Sequence, residues 1–158
     1  MRTVVIGVGN VHRRDDGVGP AVAAEVAADR LAGLRVLTCA VEPTAILDAW
    51  DGADLAVVID AVGGDDAVAG RVRRSTIDEV DSPGALTSHD LDLVQTHELA
   101  RVLGRAPRRV VVVSVDAADL GHGEGLSPVV AKAVPRAVAV VRAELAGDPV
   151  LEALDQLP

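Results

Sequence analysis

The sequence predicts an α/β fold: a single three-layer domain with a twisted, mostly parallel five-stranded sheet and helices on both faces. Three observations carry that expectation. Short, continuous apolar runs recur at Thr3–Val8, Leu34–Thr38, Leu55–Asp60 and Arg109–Val115, the form of strands buried on both faces. Segments with helical spacing or many alanines separate them, and strand–helix alternation builds parallel sheets. The 158-residue chain has no Tyr or Phe and one Trp, so Val, Ala and Leu must fill the core, a choice that suits β-branched strands under small-residue helices.

Taken in order, Thr3–Val8 runs into Gly7, Gly9 and Asn10, a buried strand feeding a loop. Val22, Val26 and Leu31 mark a helix over about 18–31, after an acidic, Gly-containing entry. Leu34–Thr38 is the second strand, and Pro43–Trp50 a short helix with Pro at its start. Leu55–Asp60 is a third strand ending on a carboxylate. Gly70–Ile77 is polar and alternating, as in an edge strand. Ser82-Pro83-Gly84 marks a loop, and Asp90–Leu103 a helix. A run of valines between Arg109 and Ser114 is the clearest strand in the chain. After a loop with Gly121, Gly123 and Gly125, Ser127-Pro128 starts a helix that reaches Leu145, with a kink or restart at Pro135. One domain over 1–158 follows, with 147–158 a peripheral tail.

Composition excludes several functions. A net charge of −9 opposes binding to a nucleic-acid backbone, and the aromatic platforms that stack single-stranded bases are missing. Cys39 is the one cysteine, which leaves no internal disulfide and no Cys-rich zinc site. The first apolar run is too short for a signal segment, and no stretch suits a membrane span. A cytoplasmic monomer is the expectation.

The familiar catalytic motifs are absent too. Gly7-Val8-Gly9-Asn10-Val11-His12 places His12 where a dinucleotide fingerprint needs its third glycine, and no Walker-type Gly-Lys-Ser/Thr occurs. His97-Glu98-Leu99-Ala100-Arg101 has Arg101 where a zinc protease needs its second histidine. There is no Gly-x-Ser-x-Gly elbow. Cys39 reads as a buried, inert thiol.

What remains is polar residues at the ends of successive elements: Asp15 and Asp16 after the first strand, Asp60 ending the third, and His89 in a loop just before a helix. Two carboxylates and an imidazole suit a borderline divalent metal with positions left for substrate. Each also has a structural reading. Asp60 can cap a helix, Asp16 can serve the first helix, and Ser88-His89-Asp90 can be an N-cap.

Gly7-Val8-Gly9-Asn10 with Asp15-Asp16-Gly17-Val18-Gly19 resembles the N-terminal signature of the hydrogenase maturation proteases. Ile59-Asp60-Ala61-Val62, Ser88-His89-Asp90-Leu91 and Gly125-Leu126-Ser127-Pro128 resemble that family's later motifs, in the same order along nearly the whole chain. The resemblance implies an endopeptidase that removes the C-terminal extension of a [NiFe]-hydrogenase large-subunit precursor, with the nickel already inserted serving as recognition signal. It carries nickel contact and catalysis to Asp16, Asp60 and His89; cadmium or zinc would stand in for nickel in a crystal. Asp15 would orient a ligand, assist proton transfer or simply cap. His122 reads as a solvent-exposed loop residue, and His97 as a helix-surface residue or a satisfied polar contact. Val41-Glu42-Pro43-Thr44 departs from the family's Asp-Gly-Gly-Thr-like stretch, and His12, Arg13 and Arg14 are more polar than expected there. A nickel-binding or escort module that does not cut is the alternative; a dinucleotide-linked enzyme is the weaker one.

Overall fold

Apolar strands buried on both faces need helices above and below them, and the chain supplies both layers. The structure, a computed structural model, describes residues 1–39, 42–80 and 88–147, and of residues 88–92 the backbone alone. Its strands are β1 (Thr3–Val8), β2 (Leu34–Cys39), β3 (Leu55–Val62), β4 (Val72–Thr76) and β5 (Arg109–Asp116). The helices are α1 (Val18–Ala28), α2 (Pro43–Trp50), α3 (Ile77–Val80), α4 (Ser88–Val102) and α5 (Pro128–Ala146), with a single 3-10 turn, Arg14–Gly17, before α1. The strands pair in the order β2-β1-β3-β5-β4, all parallel except β4, which is the antiparallel edge.

Alternation along the strands divides the core in two. Val5, Val57, Ile59, Val111 and Val113 face α1 and α5, whereas Val4, Ile6, Val58, Val110 and Val112 face α2, α3 and α4. In α5, Val130, Ala133, Val134, Ala137, Val138 and Val141 are buried at helical spacing. Pro135 is on the exposed side of that helix, where the carbonyl it leaves without a partner can meet water. The expected restart there is corrected: α5 is one uninterrupted helix. The first helix ends at Ala28 instead of Leu31, and the third strand continues past Asp60 to Val62 because β5 continues alongside it, Asp60 opposite Ser114 and Val62 opposite Asp116. Ser82-Pro83-Gly84 and the tail from 148 lie outside the described residues. Among the described residues, no helix is long and apolar enough to cross a membrane.

Candidate functional site

Strand order reverses between β1 and β3, which pair directly while their connections leave to opposite sides. The crevice beyond the carboxyl ends of such strands is where open α/β sheets bind ligands. Two glycines let the chain close down over that end. A Cβ on Gly19, in the first turn of α1, would stand 2.6 Å from the carbonyl oxygen of Ile59 and collide with that of Val8. Gly9, at φ +148°, similarly has the carbonyl of Asp16 where a side chain would begin. The 3-10 turn therefore rests against β3, and with it Asp15 and Asp16.

These neighbours have opposite fates. Asp15 is completely buried. One of its oxygens accepts the Ser127 N–H at 2.7 Å; the other accepts the N–H groups of Ala118 and Asp119, at 2.9 and 2.8 Å, and the Ser127 hydroxyl at 2.8 Å. Burial, the largest single influence, pushes the Asp15 carboxyl up, but these bonds together hold it below the usual carboxylate range. Four donors favour the ionised form, and because they come from Ala118, Asp119 and Ser127, Asp15 clamps the loop after β5 onto the 3-10 turn. Ser127 is the N-cap residue of α5 and Pro128 begins the helix, as expected, while the Ser127 hydroxyl donates to Asp15 and makes no side-chain cap bond.

Asp16 is also buried, and one of its oxygens accepts the Asn10 N–H at 2.8 Å. It makes no side-chain cap of α1, whose N-cap is Gly17. Asp60 is partly buried on β3 and accepts the N–H of Ala61 at 2.8 Å. Because Asp60 lies inside a strand, the expectation that it ends the strand, and the helix-cap reading with it, are both corrected. Ile59 and Ala61 belong to the α1/α5 core, so Asp60 projects to the other face, toward α2, α3 and α4. His89 is in the first turn of α4, which starts at Ser88, two residues before the expected start; the loop placement is corrected. Six residues after α4 the chain enters β5 at the sheet's amino end, so α4 descends and its first turn lies toward the carboxyl end. The side chain of His89 lies outside the described residues. Among the described residues, no three His, Cys, Asp or Glu side chains are grouped to hold a metal ion.

The loops after β1 and β5 form one unit. Arg14 N–H donates to Gly123 and Gly123 N–H to His12, both at 2.9 Å, Arg13 reaches the Leu120 carbonyl at 3.3 Å, and His12 lies 3.3 Å from Glu124. His122 is exposed, as expected. Cys39 is half-buried; burial, then Glu42, push its thiol up, which keeps it protonated and unreactive. His97 is half-buried edge-on to Trp50, ring centres 6.0 Å apart, and is held below the ordinary histidine value by burial first and Arg101 second, against Asp78 and Glu98.

One polar cluster at this end escaped the sequence reading. Asp116, the fully buried last residue of β5, accepts from Arg71 Nε at 3.0 Å, Arg73 Nη2 at 2.9 Å and the Val68 N–H at 2.9 Å. The available signal was that Val115-Asp116 repeats Ile59-Asp60, an apolar strand closing on a carboxylate.

Comparison with known proteins agrees with this architecture. Residues 36–144 match the family described as hydrogenase maturation protease, a span that includes Asp60 and the Ser88-His89 segment. Among solved structures, the chain is similar to the hydrogenase maturating endopeptidase HybD from E. coli, with TM-score 0.80 and 21% identity over 93% of each chain. It is also similar to the [NiFe] hydrogenase maturation protease HybD from Thermococcus kodakarensis, with TM-score 0.77 and 24% identity over 92% of this chain and 99% of that one. The HycI protease from Thermococcus kodakarensis KOD1 gives TM-score 0.70 and 21% identity over 92% of each. At these identities the structural likeness is one of fold. No curated protein sequence matches the chain.

Proposed function

Since this chain belongs to the hydrogenase maturation protease family, we propose that it cuts the C-terminal extension from a nickel-loaded precursor of a [NiFe]-hydrogenase large subunit, with the inserted nickel as the recognition signal. The observation that carries the reading is the seating of the Asp16 turn against β3, the strand of Asp60, below the end where α4 begins with His89. Asp15 absorbs the structural duty of that turn, which leaves Asp16 for a ligand. In this reading Asp16, Asp60 and His89 hold the nickel that arrives with the substrate. Carboxylate and imidazole donors fit such an ion, which can polarise a peptide carbonyl or activate water. Grip on an ion that only a mature precursor carries makes cleavage conditional on metal insertion.

Incubation of the purified chain with nickel-loaded and nickel-free precursor tests this. One cut that releases a short C-terminal peptide from the loaded form alone is expected. Equal cleavage of both forms would remove nickel as the signal. Tight binding without a cut would favour the escort function.

A further inference from the structure

Arg73 has no place in the chemistry just described, yet the sheet register puts it beside that chemistry. Ser114 on β5 pairs with Asp60 on one side and with Arg73 of β4 on the other. Residues directly opposite in a sheet share a face; Val72, Val113, Ile59 and Ala61 all belong to the α1/α5 core, so Asp60, Ser114 and Arg73 all project to the α4 side. Two strand spacings set Arg73 about 10 Å from Asp60, which an extended peptide covers in about three residues. The Arg73 side chain is 46% exposed, and its Nη2 is fixed at 2.9 Å on the completely buried Asp116. Its Nε and Nη1 make no hydrogen bond among the described residues. Arg71 binds the same carboxylate, so two guanidiniums face one carboxylate and the cluster retains positive charge.

Resting on the reading of this end as a peptide-cleaving site, we propose that Arg73 is a specificity-determining residue: it binds a carboxylate of the precursor about three residues from the scissile bond, held in a fixed pose by Asp116. A planar, oriented guanidinium with free donors is the group best suited to a carboxylate. Arg71 and the Val68 N–H hold Oδ2 of Asp116 whatever stands at 73, whereas Oδ1 takes its bond from Arg73 Nη2, so thermal melts of each variant accompany the test and Arg73→Lys keeps a charged donor for that oxygen.

The experiment compares the wild-type chain with Arg73→Gln and Arg73→Lys on the nickel-loaded precursor and on precursors in which acidic residues around the cut are replaced singly by their amides. Arg73→Gln is expected to raise KM about tenfold with kcat within about twofold, as loss of a charge-assisted bond implies, and Arg73→Lys to recover part of it. One amide precursor should lose as much with wild type and lose nothing more with Arg73→Gln. If the carboxylate is instead the precursor's own terminus, adding a neutral residue there reproduces the loss and no side-chain replacement does. Equal losses on every precursor, or a fall in kcat alone, would overturn the proposal. Precursor affinity is measured in parallel. If wild type binds but does not cut, proteolysis fails as a reading, while Arg73 is still judged by whether Arg73→Gln weakens binding about tenfold.

Discussion

The two ends of the sheet are built on different terms. At the amino end lies a hollow of about 680 Å³, bordered by Met1, Leu55, Arg109, Glu144 and Leu145. Its buried charge is consumed internally: Glu144 takes Arg74 Nε at 2.8 Å and Arg109 Nη2 at 3.0 Å. At the carboxyl end the glycines draw the 3-10 turn tight onto β3, and there one carboxylate, Asp15, holds the fold so that its neighbour need not. The proposed function puts the chemistry at the carboxyl end, where Asp16 and Asp60 lie by the reversal of strand order, away from the hollow at the amino end.

That contrast can be broken by substitution. The largest effect should come from Asp16→Asn, Asp60→Asn or His89→Ala. Each is expected to cut precursor processing by about 100-fold or more, since losing even groups that merely support a metal ligand costs 10–100-fold, with melting temperature within a few degrees of wild type. A collapse of stability in these variants would erase the distinction between the two ends.

Asp15→Ala sharpens it, because this residue sits at the carboxyl end yet should behave like a structural one. Stranding four buried donors is expected to cost about 3–5 kcal/mol in denaturant unfolding. Its pKa is depressed in the fold, so its contribution is present above the ordinary carboxylate value and disappears as pH falls through the folded value; Asp15→Asn should flatten the loss of stability below about pH 4. At the opposite end Glu144→Ala should cost about 3 kcal/mol, the usual result of removing one partner from a buried ion pair. Processing per folded molecule should not change, and a drop would bring the amino end into function.

Smaller still is the histidine effect. His97 is depressed, so the folded state binds fewer protons than the unfolded state, and stability should decline as pH drops below about 6.5 toward the folded value. His97→Gln should remove that slope in thermal melts; an unchanged slope would assign it to other groups. The smallest expected effect is that of Cys39→Ser, which should process precursor at close to the normal rate. Complete loss of activity in this variant, folded, would point to a thiol mechanism.

Periodicity and composition alone determined the layer order, the polar edge strand and the placement of all five strands within two residues at each end, because a strand buried on both faces has few other ways to be written; that the edge runs antiparallel came only from the structure. Motif order was enough to single out Asp16, Asp60 and His89 as candidates. What pattern could not decide is which of two adjacent acids is structural. Asp15 and Asp16 are the same residue type in the same loop, and the donors that consume Asp15 come from Ala118, Asp119 and Ser127, more than a hundred positions away. Asp116 with its two arginines was hidden for the same reason: β4 and β5 are distant in sequence, and only their register brings Arg73 level with Ser114. Local propensity is set by neighbours along the chain, whereas the duty of a carboxylate is set by the donors that tertiary pairing delivers to it.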